Sequence, residues 1–254
     1  MIIGIGSGDP DHLTGAAVRA MNAVEVFLVA DKGGAKRDLV ELRTELCRAV
    51  IEHDYRVVEV PDPERGPDAD RTTEQYGAGV RAWHDARAQA NAEVIRAETG
   101  PDGVVGFLVW GDPAFYDSTI RIVESVAATG LELAVTVVPG ISSLQLLAAA
   151  HRIVLNRIGL PVHLTTGRRL ISEYSPALGD VVVMLDPDLA CAGLLPDHPD
   201  LEIFWGAQLG LTDEVLVAGP LAQVVEQIRE QRAAVRATRG WVMDTYLLRP
   251  GESS

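Results

Sequence analysis

The sequence predicts an α/β protein in which helices cover the faces of sheets, built as two successive halves. Three observations carry that expectation. Apolar runs of strand length alternate with segments of helical apolar spacing along the 254 residues. Loops carrying glycine or proline follow directly on three of those runs, at residues 4–10, 111–113 and 139–143. No low-complexity tract and no internal repeat of the length that builds a solenoid interrupts the pattern.

Taken in order, residues 2–5 form an apolar run that enters Gly4-Ile5-Gly6-Ser7-Gly8-Asp9-Pro10, and a helix opens at Leu13-Thr14 and continues through Met21. Residues 24–30 read as a second strand, and residues 38–51 have the spacing of an amphipathic helix. Prolines and charges mark residues 61–72 as an exposed loop before a long helix over 73–97. A strand at 104–110 runs into Gly111-Asp112-Pro113, after which Asp117-Ser118-Thr119 supplies caps for a helix reaching Val126. Residues 133–138 read as the next strand, ending in Pro139-Gly140-Ile141-Ser142-Ser143, where another helix starts. The boundary between the halves is set here, giving domains 1–140 and 141–254. Strands follow at 162–165, 181–185, 203–207 and 241–248, with an amphipathic helix over 221–232.

Composition narrows the function classes. Hydrophobic residues make up 47% of the chain, yet no apolar run approaches the ~20 residues that cross a bilayer, so a soluble protein with a buried core is expected. The sequence opens on Met1-Ile2-Ile3-Gly4 with no basic leader, and Cys47 and Cys191 are two packing residues suited to a reducing compartment, so a cytoplasmic protein is expected. A net charge of -14 disfavours nucleic acid, whose phosphates require clustered Lys and Arg. The six histidines and the carboxylates show no ligand spacing, so no metal is expected.

Ligands of α/β sheets lie outside the carboxyl ends of strands, and the three loops sit at such ends, so they are expected to converge. Gly4-Ile5-Gly6-Ser7-Gly8 approximates a dinucleotide fingerprint, but Asp9 stands where the third glycine belongs and would repel phosphate. Asp31 resembles a ribose-binding acid and keeps a nicotinamide-dependent oxidoreductase open; a plain reversing turn is the bland alternative. Gly111-Asp112-Pro113-Ala114-Phe115-Tyr116 reads either as a helix entry turn or as a functional loop. His151-Arg152, Asn156-Arg157 and Arg168-Arg169 form a polar concentration that is either a solvated helix end or a site for a ligand with several carboxylates.

In order and separation, the glycine turn ending at Leu13-Thr14, the Gly-Asp-Pro-x-x-Tyr loop and the Pro-Gly-x-Ser-Ser loop resemble the tetrapyrrole methylase family over essentially the whole chain. The match extends to Trp83-His84, His151-Arg152, Thr165-Thr166-Gly167-Arg168-Arg169, Trp205-Gly206-Ala207 and Asp244-Thr245-Tyr246-Leu247-Leu248-Arg249. The resemblance implies two α/β domains with S-adenosylmethionine in the cleft between them, usually in a homodimer, and a role in cobalamin or porphyrin biosynthesis. By family position, Pro10, Asp112, Phe115, Ser142, Ser143, Met184 and Ala207 would contact the cofactor. The implied reaction is methyl transfer to C1 of precorrin-5, giving precorrin-6A and acetate. Methyl transfer from a sulfonium needs alignment above all, whereas removal of an acetyl group gains from a general base and a hydrogen-bond donor. His151 is expected as base or proton carrier and Tyr116 or an arginine as donor, with Arg152, Arg157, Arg168 and Arg169 gathered around the anionic macrocycle. The alternatives are a family member acting at another ring position or target, the oxidoreductase, and a non-catalytic tetrapyrrole-binding module.

Overall fold

All strands of the first sheet run parallel, so each must be joined to the next by a crossover that covers a face. In the computed structural model, which describes residues 1–31, 37–61, 63 and 73–251, the chain divides into two compact units, Met1–Ile141 and Ser142–Ser254. The side chains of residues 31, 37–40, 73–82 and 84 lie outside that description, and with them Asp31, His84 and most of the loop expected at 61–72.

The first unit holds β1 (Ile2–Gly4), β2 (Val26–Asp31), β3 (Arg56–Pro61), β4 (Val105–Val109) and β5 (Val137–Val138), in the spatial order β3-β2-β4-β1-β5. Its helices are α1 (Gly15–Met21), α2 (Arg37–Val50), α3 (Thr73–Glu98) and α4 (Thr119–Ala128). Strand residues alternate between faces. Ile3, Ile5 and Phe27 therefore pack with Met21 and Leu46 on one side, while Val26 and Leu28 pack with Ala92, Ile122 and Val126 on the other. Burial on both faces explains why these strands read as unbroken apolar runs. Adjacent strands β1 and β4 send their outgoing connections toward opposite edges, β1 to β2 and β4 to β5. A crevice opens outside the carboxyl ends of strands at such a switch point. Here those ends lead into residues 4–10 and 111–116.

The second unit is mixed. It contains α5 (Ser143–His151), β6 (Val162–Thr166), α6 (Gly167–Glu173), β7 (Asp180–Met184), β8 (Glu202–Ala207), β9 (Val215–Pro220), α7 (Leu221–Arg239) and β10 (Asp244–Arg249). The spatial order is β6-β7-β10-β8-β9; β6 and β7 are parallel, and β10 runs antiparallel to both β7 and β8. Its core centres on Trp205 and Tyr246, with Val181, Val183, Ile203 and Leu248 from the sheet and Leu221, Val225 and Ile228 from α7.

Three expectations need correction. The strand expected at 133–138 pairs only at Val137–Val138, because Val135 is half exposed and only the last two residues come into register with β1. The helix expected to end at Arg232 continues to Arg239, where Gly240 closes it in a left-handed cap. Strands β3 and β9 and helix α6 were not expected; both strands are edges of their sheets, and an edge strand such as β3, with Val57 46% exposed, carries a weak apolar signal.

Candidate functional site

In the first unit the three expected loops meet, and their glycines permit it. A Cβ on Gly4 would lie 2.5 Å from the Gly140 nitrogen, and one on Gly140 would lie 2.1 Å from the Gly111 carbonyl oxygen. No L side chain fits at such separations, so the backbones following β1, β4 and β5 press directly together. Gly6 and Gly111 exchange backbone hydrogen bonds of 3.2 and 2.7 Å across the first two loops.

Asp112 ties the third loop in. One carboxylate oxygen accepts the Ala114 N–H at 2.8 Å and the other accepts the Gly140 N–H at 2.9 Å. Thr14 caps α1 by accepting the Ala17 N–H at 3.0 Å. In the first loop, Gly8 abuts the Trp110 ring, where an added Cβ would come within 2.7 Å, and the Arg43 guanidinium lies over that ring at 5.1 Å from its centroid. Burial lowers the Arg43 pKa, while Asp117 opposes the shift. Pro10 is exposed at the start of a 3-10 turn, Phe115 is half-buried, and Tyr116 is 45% exposed.

In the second unit, Ser142 is the N-cap of α5 in a capping box. Its hydroxyl meets the Leu144 N–H at 3.3 Å, and the Gln145 side chain accepts the Ser142 N–H at 2.8 Å. Ser143 is the first residue of that helix. Met184 and Ala207 end β7 and β8, and β10 lies between them with Thr245 opposite Met184 and Asp244 opposite Ala207. They therefore share one edge of the sheet, about 10 Å apart across two strand spacings.

Left-handed backbone recurs next to the expected cofactor residues. Tyr116 (φ 51), Leu185 (φ 52) and Gln208 (φ 53) directly follow Phe115, Met184 and Ala207. A non-glycine residue in that region costs roughly 1–2 kcal/mol, and such strain concentrates at functional sites. Here it stops β7 and β8 abruptly and leaves Leu185 60% exposed at the edge.

Beneath that edge lies a polar network that the sequence reading missed. Asp244 accepts the Trp205 indole N–H at 2.8 Å and sits 2.9 Å from the Arg232 guanidinium, which donates to the Asp186 carbonyl at 2.6 Å. The Tyr246 hydroxyl donates to the Asp186 carboxylate. Burial raises the Asp244 pKa, with Arg232 opposing it, and the Tyr246 phenol is pushed well up for the same first reason. Arg232 is seven residues beyond Val225 on a face otherwise apolar, and that interruption was the available signal.

The remaining expected residues fall elsewhere in this unit. The His151 Nε2–H donates to the Trp205 carbonyl at 2.9 Å, and its ring stands edge-on to Phe204. His151 closes α5, eight residues or roughly 12 Å along the axis from Ser143. Arg157 reaches Asp180 at 3.3 Å and shares that fully buried carboxylate with Arg249 at 3.0 Å. Asp180 opens β7, at the end opposite Met184. Arg168 and Arg169 instead begin α6 just past Thr166, which pairs with Met184. Arg168 is exposed, Arg169 pairs with Glu173 at 2.5 Å, and Arg152 is an exposed left-handed cap of α5. The structure thus places Arg157 and the Arg168-Arg169 pair at opposite ends of β6.

The loops at the parallel switch point, the strained strand ends and the two α/β units together define a class. Residues 1–225 match the family of Tetrapyrrole (Corrin/Porphyrin) Methylases, and this chain belongs to it. Over 253 residues, covering 99% of this chain and 95% of the relative, it is 46% identical to the precorrin-6A synthase [deacetylating] of Sinorhizobium sp.. A cobalamin-synthesis-related protein of Corynebacterium diphtheriae, CobF, superposes with a TM-score of 0.82 at 36% identity, covering 98% of this chain and 97% of that one. The uroporphyrin-III C-methyltransferase of Thermus thermophilus, complexed with S-adenyl homocysteine, shares the fold at 21% identity and a TM-score of 0.58, covering 99% and 96%.

Proposed function

We propose that this enzyme converts precorrin-5 to precorrin-6A, moving a methyl group from S-adenosylmethionine to ring carbon C1 with release of acetate. The observation that carries the reading is the 46% identity to a deacetylating precorrin-6A synthase across 99% of the chain. S-adenosylmethionine, when bound, supplies an electrophilic sulfonium methyl.

The residues present suit such a donor. Phe115 and Met184 offer half-buried apolar faces and Ser143 a hydroxyl at a helix start, while Pro10 opens the 3-10 turn of the first loop and Ala207 ends β8. Asp112 and Ser142 act through backbone: each spends its side chain on amides, so their role is to fix the loops on which the donor rests. Holding carbon, methyl and sulfur in line supplies the larger part of the acceleration, roughly 7 to 11 kcal/mol in well-oriented systems. Arg168, exposed at the start of α6 beyond the strand end that pairs with Met184, is our candidate to meet carboxylates of the macrocycle, with Tyr116 as an exposed hydroxyl donor; Arg169 reaches the same substrate only by giving up its ion pair with Glu173. Arg157 is spent on Asp180 and stabilises the unit.

We read the working form as a cytoplasmic homodimer, which light scattering of the purified enzyme checks. Among the described residues no helix is long and apolar enough to cross a membrane. Calorimetry with S-adenosylhomocysteine tests the donor site: saturable one-to-one binding is expected, and its absence would remove the methyl donor from the account.

A further inference from the structure

Loss of an acetyl group demands a base that methyl transfer does not, and the expected candidate, His151, is held by the Trp205 carbonyl at the far end of α5. The first unit contains another histidine in a different setting. Within the glycine loop after β1, His12 Nδ1 lies 2.9 Å from the Ser7 hydroxyl oxygen. Ser7 is 8% exposed and also receives the Asp9 N–H at 3.4 Å, so its position is fixed from two sides. His12 itself is half-buried. Its backbone and Cβ lie against Gly6, where a Cβ on the glycine would meet the His12 carbonyl oxygen at 3.0 Å, and Gly6 bonds directly to Gly111, the neighbour of Asp112. A side chain on Gly6 would push His12 out of this place.

We infer that His12, oriented by Ser7, is the proton acceptor for the acetate-releasing half of the reaction. This rests on the function proposed above. With Nδ1–H donating to the Ser7 oxygen, Nε2 carries the lone pair that takes up a proton, and Ser7 fixes the ring's orientation. Water adds through oxygen to the carbonyl carbon of the acetyl group while its proton passes to His12 Nε2. The adduct collapses as the bond between that carbon and the ring carbon breaks. The electron pair stays on the macrocycle as the carbon nucleophile that methylation requires, and acetic acid departs, losing its proton to solvent as acetate. His12 is the acceptor in this scheme and Ser7 a positioning residue, so a small side chain at either place has a defined consequence.

The test uses the full-length enzyme with precorrin-5 and S-adenosylmethionine, following acetate and methylated product by mass spectrometry and S-adenosylhomocysteine affinity by calorimetry. His12→Ala and His12→Gln are expected to bind S-adenosylhomocysteine within threefold of wild type while acetate release falls about 100-fold or more, the usual weight of a general base. Added imidazole is expected to restore at least tenfold of the His12→Ala rate. Ser7→Ala is expected to lower the turnover rate with KM unchanged, and Ser7→Thr to recover it. Acetate release within threefold of wild type in either His12 variant overturns the inference. So does a loss that imidazole does not reverse, which makes the ring a strut of the loop. A wild-type enzyme that binds the donor but releases no acetate from precorrin-5 sinks the proposed function instead, and the two failures are thereby separate.

Discussion

Asp112 shows how much one carboxylate can fix. Its two oxygens hold the Ala114 and Gly140 amides, so removing them leaves the part-buried Gly140 N–H unpaired, at about 1–3 kcal/mol, and hands the exposed Ala114 N–H to water. Asp112→Ala is expected to lower S-adenosylhomocysteine affinity at least tenfold by calorimetry, and Asp112→Asn less, since one acceptor oxygen survives. His151 illustrates the opposite lesson. Sequence placed it among basic residues, where an imidazole suggests proton transfer, but its partner is a backbone carbonyl 54 residues away that no local pattern announces. His151→Gln is expected to cost about 1 kcal/mol of stability, the net worth of one hydrogen bond, in denaturant unfolding while acetate release stays within threefold of wild type. The ion pair of Arg157 was not legible for the same reason: its partner, Asp180, is distant in sequence and buried on another element.

At the scale of elements, what was legible followed from short-range chemistry. Thr14 before α1 and Ser142 with Gln145 before α5 are capping patterns within four residues; the helix starts at both places were expected, and the Gln145 half of the capping box was readable but was not read. Ser142→Ala is expected to lower stability by about 1 kcal/mol, measurable as a shift in the denaturant midpoint without a change in slope. The parallel strands β1, β2 and β4 were readable because both faces are buried and the apolar runs are continuous. The edges β3 and β9 were not: β3 mixes Arg56 and Glu59 into a mostly exposed run, and β9 is a short apolar run closed by Gly219-Pro220 that reads as the approach to a turn. Convergence of the glycine loops was inferred from where ligands bind in α/β sheets, and the contacts among Gly4, Gly111 and Gly140 now give it a steric cause. The left-handed residues that end β7 and β8 had no sequence signal, because leucine and glutamine are not residues that favour that conformation.

For the whole molecule, two separately cored α/β units carry a family function that neither glycine motif nor charge alone specified. The cores also set its response to pH. Cys191, with 0% exposure in the second core, is pushed up to about 12 from the ordinary 9.0, by burial first. Burial likewise raises Cys47 to about 11. A thiol whose folded pKa exceeds its unfolded value gives stability that is complete below pH 9 and is lost as pH climbs toward these folded values. Thermal unfolding midpoints are therefore expected to fall progressively above pH 9. Cys191→Ala, though less stable at neutral pH through lost packing, is expected to show a shallower decline.

The central claim is that one active site both methylates the macrocycle and removes its acetyl group. Mass spectrometry of the product formed from precorrin-5 with methyl-labelled S-adenosylmethionine tests it most directly. The expected product has gained the labelled methyl and lost the acetyl group, with one acetate released per turnover. A product that keeps its acetyl group after gaining the methyl, or one that carries no label, would contradict it.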